Sequence, residues 1–139
     1  MNTFFYASTL GWLATITLGA GILAPYLLRR TALSQWLGTA CSRKPYLQRM
    51  WAHYWIGYLV ALLALMHAWI PMQAGGARGA NMAGLWIATA SLVLLFSQIV
   101  LGLGLKANAS SDRQRNRRIH YWVMLGIVVA VAAHIWLNG

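Results

Sequence analysis

The four histidines of the chain fall in two pairs of one spacing: His53 and His67 are 14 residues apart, and so are His120 and His134. Imidazole is the commonest metal ligand among side chains. A zinc or copper site draws several ligands to one point. Two histidines on one helix at this spacing stand about 21 Å apart along its axis, so they do not converge. They do return to within roughly 40° of one face. Such a helix presents one imidazole near each membrane surface. Two such helices side by side offer two facing pairs, which is the ligand set of bis-histidine haem iron. The other role of a transmembrane histidine is a hydrogen bond between helices. Ionisable groups inside a membrane are costly and usually functional. All four histidines sharing a duplicated register points to the haem role.

Long apolar helices must position these ligands. Of 139 residues, 60% are hydrophobic, with 11 Lys and Arg against one acidic residue, Asp112. A soluble domain of that balance would have to bury nearly everything. Four runs carry no charge: Phe4 to Leu28, Trp51 to Ile70, Met82 to Leu105 and Ile119 to Leu137. Each approaches or exceeds the roughly 20 residues that span a bilayer. Barrel strands would alternate, and these runs do not, so helices satisfy the backbone in lipid. The fold class expected is all-α: an integral membrane four-helix bundle, one transmembrane domain over residues 1–139. Its helices are placed at about 4–28, 51–70, 82–105 and 119–137, with the two haems between the second and the fourth. Pro25 and Pro71 mark helix ends, and Gly75, Gly76 and Gly79 a turn. The segment Ala107–Asn116 reads as a polar, mobile connection. The start of the chain lacks a positive signal-peptide segment, and its first run reads as a retained helix.

The connections set orientation. Arg29, Arg30, Arg43, Lys44 and Arg49 lie between the first two runs, and Lys106, Arg113, Arg115, Arg117 and Arg118 between the last two. Only Arg78 lies between the second and third. Positive charge favours the cytoplasmic side. Both termini and the Pro71–Ala80 turn then face outward, into the periplasm of a bacterial inner membrane. The second and fourth helices run parallel, being separated by one antiparallel helix. His53 therefore pairs with His120 on the cytoplasmic side, and His67 with His134 on the outer side. Trp51, Trp69, Trp122 and Trp136 bracket these helices as interfacial anchors. Basic residues placed between apolar runs point to anionic lipid and away from nucleic acid.

Further residues are candidates around the haems. Gly57 and Gly126 would admit a porphyrin plate; small-residue helix packing is the equal alternative. Arg49, Arg117 and Arg118 would pair with propionates, or serve only as headgroup charges. Arg78 and Gln73 are weaker candidates on the outer side. Ser97 and Gln98 sit mid-helix, where an interhelical hydrogen bond is the favoured role over a quinone pocket or a haem contact. Cys41 is alone and cannot form an internal disulfide. No Cys-x-x-Cys-His occurs, so c-type attachment is excluded.

His53, Gly57 and His67 on the second helix, with His120 and His134 on the fourth, resemble the transmembrane di-haem b-type cytochromes. The pattern is similar to the haem core of the ferric reductase-like transmembrane family. It is similar also to the haem-bearing half of quinol-oxidising cytochrome b. The resemblance covers Trp51 to Leu137. Ferric reductase-like proteins usually have more helices and often a flavin domain, which this sequence lacks. It also lacks the Pro-Glu-Trp-Tyr quinol-site signature of cytochrome b. Donor and acceptor therefore do not carry over.

The function expected is transmembrane electron transfer, within a larger redox complex. Two axial histidines leave no open iron position, which suits outer-sphere transfer. No flavin, nucleotide or iron–sulfur motif is present, and no intramembrane carboxylate for pumping. Quinone or quinol and other redox subunits are the expected partners. Two other classes remain open: a haem carrier or exporter, and a haem-free structural subunit. The first would hold haem exchangeably; the second would keep its spectrum unchanged when a histidine is replaced.

Overall fold

The computed structural model describes residues 3–30, 51–73, 81–107 and 112–138. Every described element is an α-helix: α1 Thr3–Arg30, α2 Trp51–Gln73, α3 Met82–Ala107 and α4 Arg113–Asn138. All four are long and apolar enough to cross a membrane. The helices form two units, Phe5–His67 and Ala68–Gly139 with Met1–Phe4. The first holds most of α1 and α2, the second α3 and α4.

Burial follows the membrane expectation. No span has more than 17% of its most apolar window buried. Trp136 is 88% exposed and Trp86 71%, and no side chain among the described residues is fully buried. Large apolar surface in water costs about 25 cal/mol per Å². In lipid it costs nothing, because the solvent is itself apolar. Hydroxyl groups are settled locally. Thr9, Thr15, Thr17, Thr89, Ser91 and Ser97 each donate to the carbonyl four residues back. That leaves little polar demand on neighbouring helices. Ser97, expected to bond between helices, instead donates within α3, to Val93 O at 2.9 Å.

All four helices outrun their apolar runs. α1 continues past Pro25 to Arg30, and α2 past Pro71 to Gln73. A proline near a helix end removes one hydrogen bond without stopping the chain from turning. α4 begins at Arg113, six residues before the apolar run, so part of the expected mobile connection is helical. Asp112 starts it: its carbonyl accepts the first helical bond, from Asn116 N–H at 2.9 Å. Asp is a favoured residue type at that position. Asn81 caps α3 in the same way, through its side-chain Oδ1 to Ala83 N–H at 2.9 Å and its carbonyl to Leu85 N–H at 3.0 Å.

Candidate cofactor-ligand site

In the first unit, α1 and α2 are antiparallel and held in register by two histidines. His53 Nδ1 lies 3.3 Å from Gly21 O, and His67 Nδ1 lies 2.7 Å from Ala7 O. The two carbonyls are 14 residues apart, as are the two histidines. A carbonyl only accepts, so each Nδ1 carries the hydrogen and donates it. The lone pair of the ring is then on Nε2. Both rings are half-buried, and Ala7 and Gly21 are buried.

Small residues on α1 make this approach possible. A Cβ at position 11 would stand 2.9 Å from His67 Cε1 and 3.0 Å from its Nδ1. At position 21 it would stand 2.8 Å from Ile56 Cγ2. A larger residue at either site requires the facing side chain, His67 or Ile56, to shift. The Gly21 carbonyl has a second distinction. Pro25, four residues on, has no N–H, so no helical bond can come from that position. A proline that looked like a helix end instead leaves an acceptor for His53.

The second unit repeats the arrangement. His134 Nδ1 lies 3.0 Å from Gly84 O. A hydrogen on Nδ1 serves the shorter of its two contacts, to the Gly84 carbonyl, and leaves the Asn138 amide nitrogen 3.4 Å away without a hydrogen bond to it. Asn138 closes the end of the hairpin. Its Oδ1 accepts from Asn81 N–H at 2.8 Å, and its Nδ2 lies 3.4 Å from His134 Nδ1. Gly84 is buried, and a Cβ there would collide with the Asn138 amide. His120 stands opposite Gln98, 14 residues from Gly84, so α3 and α4 keep one antiparallel register. Here the partner is a side chain: Gln98 Nε2 lies 3.1 Å from His120 Nε2. The interhelical role expected for Gln98 is observed.

The glycines of the sequence reading differ. Gly57 shares the histidine face of α2, about 40° from His53. A Cβ at position 57 would meet nothing within 4 Å. Packing against the described residues therefore does not require glycine there. Gly126 lies about a third of a turn round α4 from His120. It lines an open apolar groove of about 530 Å³ with Trp122, Ala130 and Ala133 of α4 and Ile87 and Ala90 of α3. A Cβ at position 126 would stand 3.6 Å from Leu94 Cδ1, an ordinary contact. Arg117 and Arg118 are exposed in the first turns of α4, and Gln73 is exposed at the end of α2. Arg49, Arg78 and Cys41 lie outside the described residues.

Chemically, three of the four imidazoles, His53, His67 and His134, commit Nδ1–H to a helix carbonyl, whereas His120 meets the Gln98 amide at Nε2. Ligating histidines are usually held this way, because the hydrogen bond fixes the tautomer and raises the basicity of the other nitrogen. Those three rings therefore fit an axial role toward haem iron. Among the described residues, no group of three or more His, Cys, Asp or Glu side chains gathers to hold a metal ion. The carbonyl partners, Gly11 and Asn138 were not anticipated from the sequence. The signal open to reading was a pair of small residues on α1, Ala7 and Gly21, at the histidine spacing. No family model matches the chain, and neither the curated proteins nor the solved structures contain a match. What fold and site define is a protein of four potential membrane-spanning helices with histidine-clamped hairpins.

Proposed function

We propose that the chain carries electrons across a membrane through two bis-histidine b-type haems, as the membrane subunit of a larger redox complex. His53 and His120 serve one iron, on the cytoplasmic side; His67 and His134 serve the other, on the outer side. The observation that carries this reading is the state of three rings: His53, His67 and His134 each commit Nδ1–H to a carbonyl and keep the lone pair on Nε2.

Bound haem would supply a one-electron couple, ferric to ferrous. The residues of the chain do the rest. The helix carbonyls hold His53, His67 and His134 in the ligating tautomer. Gly11 and Gly21 set the distance at which α2 lies from α1. Gly57 leaves room on the histidine face. The apolar surfaces of the four helices keep water away and the dielectric low. Arg49, Arg117 and Arg118 are proposed partners for the cytoplasmic-side propionates. Quinol, or a separate redox subunit, is the proposed source or sink of electrons.

A second reading has one observation in its favour. The same histidine–carbonyl bonds would tie two hairpins together without any haem. Pyridine haemochromogen quantification on the purified chain separates the two. Two haems b per chain, reducible by a quinol analogue, are expected on the first reading. A colourless chain would leave the structural reading standing.

A further inference from the structure

One face of α4 joins a pair of arginines to an apolar groove. At about 100° per residue, Arg115, Arg118, Gly126, Val129 and Ala133 all lie within about 40° of Trp122 around the helix. Trp122, Gly126, Val129 and Ala133 line the open groove of about 530 Å³, which Ile87 and Ala90 of α3 flank. From Trp122 to Ala133 it runs about 17 Å along the axis. That is close to half of the roughly 30 Å hydrocarbon core, the depth of one leaflet. Arg118 stands one turn before Trp122 and Arg115 two turns, and both are exposed. Asp112 is the only acidic side chain in the sequence. The protein therefore cannot itself balance Arg113, Arg115, Arg117 and Arg118. These four cations also crowd the positive end of the α4 dipole, where an anion is stabilising.

We propose that this face binds one anionic diacyl phospholipid, with its phosphate at Arg115 and Arg118 and an acyl chain along the groove. Charge selects the headgroup. Guanidinium groups donate to phosphate oxygens in a fork, whereas a zwitterionic headgroup brings a cation of its own to the arginines. The groove selects the chain, being wholly apolar, open along its side and about one leaflet long. A second copy of α4 is a poor occupant. Seated here in the same membrane orientation, it would set its own Arg115 and Arg118 against this pair, and like charges repel. The face also sorts the arginines. Arg117 lies about 60° from His120 around the helix and Arg118 about 160°, which narrows the haem-propionate partner on α4 to Arg117. The lipid site does not depend on haem.

Native mass spectrometry tests the site on the full chain, purified in detergent and offered equal amounts of phosphatidylglycerol and phosphatidylcholine. Phosphatidylglycerol should be retained in preference, one per chain. Arg115→Gln and Arg118→Gln should each weaken its retention roughly fivefold. Arg113→Gln removes the same charge about 160° round the helix from Arg115 and should leave retention unchanged. Val129→Trp, at a position 62% exposed, fills the groove from its open side. It should weaken retention although every arginine stays. An equal loss in Arg113→Gln would reduce the site to diffuse attraction and overturn it. Retention untouched by Val129→Trp would do the same, as would equal retention of the two lipids. A dimer without bound lipid would overturn it in favour of a second copy. A colourless chain would sink the haem reading and leave these lipid results to stand alone.

Discussion

His67 Nδ1 and the carbonyl oxygen of Ala7 stand 2.7 Å apart across 60 residues of sequence. The bond is short for an N–H donor, and it ties the C-terminal end of α2 to the first turns of α1. It also decides the chemistry of the ring. With Nδ1–H committed, Nε2 is the only nitrogen left with a lone pair.

Gly11 is the residue that lets this bond form, because any Cβ at that position meets the imidazole. Gly11→Val should push His67 off the Ala7 carbonyl and cost about 1–3 kcal/mol, the usual range for overpacking. Thermal unfolding in detergent reads the stability. Haem content reads the site: the component lost in His67→Ala should also be lost in Gly11→Val. Gly57→Ala is the contrasting substitution. Its Cβ meets nothing within 4 Å, so stability should hold, and any change should fall on the haem spectrum.

Asn138 and Gly84 form a pair that can be tested as one. Asn138→Ala removes the acceptor of Asn81 N–H and should cost about 0.5–1.5 kcal/mol. Gly84→Ala should be worse alone than in the Asn138→Ala background, because the collision needs both side chains. A double-mutant cycle on unfolding free energies measures this. Strict additivity would show that the two residues do not meet.

Pro25→Ala restores an N–H four residues after Gly21. The carbonyl then gains a helical donor and becomes a poorer partner for His53, whose bond is already long at 3.3 Å. Helix α1 should become more stable, since proline inside a helix costs up to about 3 kcal/mol against alanine. The His53 haem signal should shift in electron paramagnetic resonance, and the His67 haem signal should stay in place.

The four helices long and apolar enough to span a membrane were legible because their apolar runs are uninterrupted, and such runs survive any rearrangement of neighbours. Their ends were less so. Arg113, Arg115, Arg117 and Arg118 are good helix formers that extend α4 beyond its apolar run, where hydropathy has nothing to report. Pro25 and Pro71 read as stops, yet α1 and α2 run through both. The histidine register was legible from spacing alone. The groups that hold the rings were not, since every residue brings a carbonyl and only the packing selects one. Gln98 shows the reverse case. Its polarity marked it in the sequence, and the hairpin register then supplied its partner, His120.

The pairing of histidines is the centre of the account, and low-temperature electron paramagnetic resonance of the oxidised chain tests it most directly. The unmodified chain should show two low-spin ferric signals. His53→Ala and His120→Ala should each abolish the same one, and His67→Ala and His134→Ala should each abolish the other. Signals that follow any other grouping, or a chain with no haem signal at all, would contradict it.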